Sequence, residues 1–117
     1  MTLRNCSLVL FFICLVFVLY LSLVPEPPQI PSEMPMLDKI EHFGAYLILA
    51  ALLTFYLKRS HLGRKKALVV SVLLMLVVGA LIEVLQGYTG RNPEASDLLA
   101  DFIGAVCGGL LSLFLLR

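Results

Sequence analysis

The sequence predicts an all-α membrane protein, a four-transmembrane-helix antiparallel bundle with both termini cytoplasmic, and three observations carry that expectation. The 117 residues are 60% hydrophobic and 15% charged, with a mean hydropathy of +0.96, far outside soluble globular usage. Four apolar stretches, about 6–24, 40–57, 67–88 and 98–116, approach the roughly 20 helical residues that cross a hydrocarbon core of about 30 Å. All eight acidic residues fall in two segments, 26–41 and 83–101, whereas seven of the nine basic residues fall outside them. Continuous apolar runs of this length exclude the alternating pattern of barrel strands, and a backbone in lipid must satisfy its own hydrogen bonds, which leaves helices. Residues 1–117 read as a single membrane domain.

The first stretch, Cys6 to Val24, carries no charge over 19 residues and follows Arg4. It exceeds the 7–15 residues of a signal-peptide core, and Leu23-Val24-Pro25-Glu26-Pro27-Pro28 offers no small-residue cleavage site, so it reads as a retained anchor. Pro25, Pro27, Pro28, Pro31 and Pro35 then favour an extended strap, because proline cannot occupy a helix interior. The second and fourth stretches keep only 15 uncharged residues each, Phe43 to Leu57 and Phe102 to Leu116. At 1.5 Å per residue that is roughly 22 Å, so ionisable residues are drawn into the membrane boundary. The third stretch runs uncharged from Ala67 to Ile82 and then meets Glu83.

Lys and Arg in short loops mark the cytoplasmic side, which places the loop bearing Lys58, Arg59, Arg64, Lys65 and Lys66 inside. Arg4 and Arg117 agree with it, and segments 25–37 and 89–96 are expected outside. The basic loop also suits a lipid-headgroup anchor, at about 1 kcal/mol per basic residue near an anionic surface. As the only basic cluster it leaves no nucleic-acid footprint. Short connections predict that consecutive helices are antiparallel neighbours. Cys6, Cys14 and Cys107 lie in apolar spans without metal or disulfide spacing and read as packing residues.

Spacing assembles a candidate site at the acidic end. Asp38, His42 and Tyr46 recur at i, i+4, i+8, and Lys39 reaches the same face at i−3 from His42. Glu83 and Gln86 are three apart, Asp97 and Asp101 four apart, and Arg91 stands in the connecting loop. Asp97, Asp101, Gly104 and Gly108 share one helical stripe, so the polar positions run into a small-xxx-small packing face that meets protein. Asp97 after Ser96 also suits a helix start, and Glu41 and Glu94 suit simple boundary solvation. Glu83, behind sixteen uncharged residues, is the intramembrane carboxylate that marks a functional site.

Leu21-Ser22-Leu23-Val24-Pro25, Asp38-Lys39-Ile40-Glu41-His42-Phe43-Gly44-Ala45-Tyr46, Ile82-Glu83-Val84-Leu85-Gln86 and Gly90-Arg91-Asn92-Pro93-Glu94-Ala95-Ser96-Asp97, continuing to Ala105, together resemble the VanZ-like family of small bacterial polytopic membrane proteins. The resemblance covers about Tyr20 to Gly109 with its blocks in order. It implies a polar signature at Asp38, Lys39, His42, Tyr46, Glu83, Gln86, Arg91 and Asp97, with Gly104 in the packing stripe. Where the family commonly has Asn this chain has Asp101, a further ionisable group. The resemblance also implies the bacterial cytoplasmic (inner) membrane and a link to glycopeptide, specifically teicoplanin, resistance.

The leading functional expectation is an outer-leaflet site that binds or processes a cell-envelope amphiphile, either a membrane lipid or a lipid-linked molecule. Lys39 and Arg91 would hold a phosphate or carboxylate; Tyr46, Gln86, Asp97 and Asp101 would line the site. His42 is the general acid/base candidate, with Asp38 holding its tautomer and Glu83 as a further catalytic carboxylate. No cofactor is expected. One alternative is a divalent-metal enzyme ligated by His42, Glu83, Asp97 and Asp101; another is an assembly partner of a membrane-protein complex whose charges only specify helix packing. A transporter is disfavoured, since neither a broken helix nor a polar path toward the basic end is evident.

Overall fold

The computed structural model describes residues 2–23, 35–88 and 95–115, without the side chains of residues 35–38 and 95. It consists of α1 (Leu3–Leu23), α2 (Pro35–Lys58), α3 (Arg64–Tyr88) and α4 (Ala95–Leu115), each long and apolar enough to cross a membrane. Three helices begin about three residues before the apolar stretch that signalled them, and α2 begins five before, because polar residues continue the helical hydrogen-bond ladder beyond the apolar core. Pro35 is therefore not part of an extended strap. It is the first residue of α2, where a missing N–H costs no intrahelical bond. The remaining prolines of the expected strap lie outside the described residues.

The packing is inside-out relative to a soluble bundle. Large apolar side chains such as Phe12, Phe17, Ile48, Leu73, Val77, Leu81 and Phe114 are exposed around the perimeter, while Ser7, Thr54, Ser71, Gln86, Asp97, Asp101 and Ser112 are buried. With lipid as solvent, apolar surface gains nothing by leaving it, and polar groups gain by finding protein partners. Thus Ser7 Oγ donates to the Leu52 carbonyl at 2.6 Å, joining α1 to α2, and Ser71 Oγ donates to the Ala50 carbonyl at 3.3 Å, joining α3 to α2. On α3 the buried stripe is Ala67, Ser71, Met75, Gly79, Ile82 and Gln86, at helical spacing throughout. The three cysteines are free and partly buried, in keeping with packing roles.

Consecutive helices do pack as antiparallel neighbours, but the most extensive contact joins α2 to α4, which run parallel. Its residue pairs rise together: Lys39 with Asp97, His42 with Asp101, Phe43 with Gly104, Leu47 with Gly108, Lys58 with Ser112. Gly104 and Gly108 make the approach possible. A Cβ at either position would overlap the backbone carbonyl of Phe43 or Leu47, and backbone cannot yield as a flexible side chain can. α1 packs on α2 and α3 and, among the described residues, does not form a comparable contact with α4.

The four helices bring two chemically distinct ends into being. One gathers Lys39, His42, Glu83, Asp97 and Asp101; the other gathers Arg4, Lys58, Arg59 and the start of α3. At the basic end Lys58 Nζ donates to the Ser112 carbonyl at 3.1 Å and Arg64 to the Leu113 carbonyl at 2.7 Å. These carbonyls belong to the last turn of α4, which has no intrahelical donors for them. The basic loop thus caps a helix, a role absent from the lipid-anchor reading of its charges.

Two predictions follow from this interface. Gly108→Ala should destabilise the protein by about 1–3 kcal/mol, the usual cost of overpacking, whereas Gly44→Ala, with open space around its Cβ position, should cost nothing. Reversible unfolding in mixed micelles measures both, and equal effects would refute the close approach. Thr54→Val should be neutral or stabilising, because the fully buried Thr54 hydroxyl has no hydrogen-bond partner and an apolar replacement of the same shape removes its desolvation cost.

Candidate functional site

The acidic end contains a connected chain of buried charge built across the α2–α4 interface. Asp97 lies in the first turn of α4, where the helix dipole favours a carboxylate, and Asp101 lies one turn further in. Facing them, Lys39 and His42 occupy successive turns of α2. Lys39 Nζ meets Asp97 Oδ1 at 2.5 Å, His42 Nδ1 meets Asp101 Oδ1 at 2.9 Å, and His42 Nε2 is 3.8 Å from Asp97 Oδ2. The order is therefore Lys39, Asp97, His42, Asp101, with alternating basic and acidic groups.

Burial makes this order consequential. The Asp97 and Asp101 side chains are only 8% and 3% exposed, His42 is 16% exposed, and Lys39 retains 25%. Two carboxylates this deep require compensation, since an unpaired buried charge costs several kcal/mol. Lys39 offsets Asp97 directly, and the imidazole N–H supplies a hydrogen bond to Asp101. Asp101 thereby holds the His42 ring with Nδ1 as donor and turns Nε2 toward Asp97, the arrangement in which a histidine's second nitrogen is available for proton exchange. Asp101 is thus a carboxylate at Nδ1, while the side chain of Asp38, expected from the sequence to hold the tautomer, lies outside the described residues.

The third helix closes the network from the side. Tyr46, one turn below His42, is 2% exposed and lies in the electrostatic field of both Asp101 and Glu83. Glu83 is partly buried on α3 and has an interaction partner of its own. Gly79, one turn before it, makes room for Asp101: a Cβ there would come 3.2 Å from Asp101 Oδ2 and 3.6 Å from the Tyr46 ring. Spacing had drawn attention to Glu83 and Gln86 but missed Gly79, although a glycine four residues before the carboxylate was the available signal. Gln86 is buried, and its Nε2 donates at 2.9 Å to the Ser22 carbonyl in the last turn of α1. It therefore caps α1 as well as bordering the site.

Of the residues expected in the site, Lys39, His42, Tyr46, Asp97 and Asp101 come together, with Glu83 alongside and Gln86 reaching to α1. Arg91 and Glu94 lie outside the described residues. Among the described residues no group of three His, Cys, Asp or Glu side chains is placed to hold a metal ion, so the quartet His42, Glu83, Asp97 and Asp101 is not assembled as a ligand set. Both ring nitrogens of His42 face carboxylates instead.

Four membrane-length helices enclosing a charge network define a multi-pass membrane protein. A comparison with protein-family models matches the VanZ/LLP1 family over residues 8–116, and the chain belongs to that family. No curated protein and no solved structure matches it.

The alternating chain predicts strong coupling between its members. Lys39→Met should destabilise the bundle by about 2–3 kcal/mol, below the 3–5 kcal/mol for breaking a fully buried pair because Lys39 is partly exposed. Adding Asp97→Asn should recover most of that loss. A double-mutant cycle measures the coupling, and strictly additive effects would show that the pair does not compensate a buried charge.

Proposed function

We propose that the acidic end is a binding site for the polar headgroup of a cell-envelope amphiphile, a membrane lipid or lipid-linked molecule, at the outer face of the bacterial cytoplasmic membrane. The observation that supports this reading is the Lys39–Asp97–His42–Asp101 chain, buried between parallel helices yet ending on a lysine one quarter exposed at the end of the bundle. Packing alone does not call for such a chain, because apolar residues of similar volume are as stable as a buried ion network, or more so. Lys39, together with the Arg91 that the sequence assigns to the same role, contacts a phosphate or carboxylate, and Tyr46, Glu83 and Gln86 border the headgroup.

If the bound molecule is processed, His42 transfers the proton. Asp101 fixes the ring through Nδ1, which leaves Nε2, 3.8 Å from Asp97 Oδ2, as the nitrogen that exchanges a proton. Membership of the VanZ/LLP1 family is what supports extending the reading to glycopeptide resistance, since the VanZ-like proteins take their name from a glycopeptide-resistance protein. The orientation rests on the positive-inside rule applied to the basic loop, with both termini cytoplasmic.

A photoactivatable lipid labelled beside its headgroup phosphate, added after exhaustive chelation, should crosslink within 39–46 or 83–88, and Lys39→Gln should remove most of that signal. Crosslinks that appear only when a divalent ion is restored would replace this reading with the metal enzyme. Crosslinks confined to the basic end would overturn it.

In cells, His42→Gln and Glu83→Gln should accumulate in the membrane at wild-type levels and lose the glycopeptide phenotype, as insertion depends on the apolar spans. Retention of the phenotype in both would leave helix packing as the network's role. An impermeant thiol reagent should label Tyr88→Cys but not His61→Cys in intact cells lacking the native cysteines. The reverse pattern would invert the orientation.

A further inference from the structure

The glycines of the four helices have different neighbours. Gly104 and Gly108 face the backbone of α2, and Gly44 and Gly87 face open space. Gly79 faces the charge network: a Cβ there would stand 3.0 Å from Leu98 Cδ1, 3.2 Å from Asp101 Oδ2 and 3.6 Å from the Tyr46 ring. It lies in the buried stripe of α3, between Met75 and Ile82, where a glycine gives up helix stability relative to alanine. The stripe therefore forgoes a side chain at the level where α3 meets Asp101 from α4 and Tyr46 from α2.

The two closest neighbours would respond differently to an added methyl group. Leu98 Cδ1 is the end of a flexible side chain and can rotate away. Asp101 has less freedom, because its side chain is 3% exposed and its Oδ1 accepts from His42 Nδ1 at 2.9 Å. A carboxylate is planar with both oxygens on one carbon, so a push on Oδ2 turns Oδ1 out of the line of the His42 N–H. A hydrogen bond weakens as its angle departs from linear. In a neutral imidazole one nitrogen donates and the other accepts, and the hydrogen bond made by the ring decides which. We propose that Gly79 is a positioning residue: by seating Asp101 against α3 it holds the His42 proton on Nδ1 and so keeps Nε2 as the nitrogen that exchanges protons. The use of Nε2 rests on the headgroup reading, whereas the tautomer does not and is measured without ligand.

Nitrogen-15 NMR of the imidazole in the full chain in detergent micelles, at a pH where the ring carries a single proton, reads the tautomer directly. The chain has two histidines, so His61→Asn leaves the His42 signals alone; asparagine suits the left-handed backbone of that exposed turn residue, at φ 73°. The proton should reside on Nδ1 in this background. Adding Gly79→Ala should lower the ratio of Nδ1–H to Nε2–H about tenfold, the effect of losing one hydrogen bond to a charged group. Gly109→Ala, which overpacks against Leu68 Cδ1 and Thr54 Oγ1 instead, should cost stability and leave the ratio unchanged. Gly79→Ala/Leu98→Ala removes the apolar overlap, which guards against a folding defect, and should keep the shifted ratio. A Gly79→Ala protein with the original ratio, a ratio restored by Leu98→Ala, or a shift as large in Gly109→Ala overturns the proposal. The expected tautomers without headgroup crosslinking in wild type would uphold the positioning role and remove the headgroup reading.

Discussion

The close parallel approach of α2 and α4 is the constraint on which the other features depend. It exists because Gly104 and Gly108 present no side chain to the Phe43 and Leu47 carbonyls. In lipid the hydrophobic effect does not press helices together, so dispersion between closely apposed backbones must supply the attraction. Once the backbones meet in that register, the stripe one and two turns toward the start of α4 has no freedom left. Asp97 and Asp101 must lie opposite Lys39 and His42.

A parallel pair has an electrostatic consequence that an antiparallel pair avoids, since the dipoles of α2 and α4 point the same way. Their positive poles share the acidic end, where Asp97 stands in the first turn of α4 and Asp101 one turn below. Their negative poles share the basic end, where Lys58 and Arg64 donate to the carbonyls of Ser112 and Leu113. The separation of charge along this chain is thus fitted to the helix pair as well as to the membrane. α3 completes the arrangement through a second omission of volume, Gly79, which leaves space where Asp101 and Tyr46 meet.

Much of the candidate site was legible because it is written along single helices. The spacing of Asp97, Asp101, Gly104 and Gly108 placed polar and packing positions on one face, and that face is indeed the one against α2. Lys39, His42 and Tyr46 were legible for the same reason. The partners were not. His42 takes Asp101 at Nδ1, and Gln86 reaches the Ser22 carbonyl of α1, because side chains on different helices are matched by rotation and depth, which helical periodicity does not encode. The capping of α4 by Lys58 and Arg64 was hidden likewise, since 54 and 49 residues separate the bonded groups.

By itself the sequence determined the four spans, their boundary chemistry and the sorting of charge between the two ends, because hydropathy and helical period act over a few turns and need no tertiary contact. Connection lengths set the antiparallel order of consecutive helices for the same local reason. Only the tertiary structure decided that the nonconsecutive pair α2 and α4 would form the principal interface, and that its charges would alternate as Lys39, Asp97, His42 and Asp101. Those outcomes depend on which backbone surfaces can approach most closely, a property of two helices together.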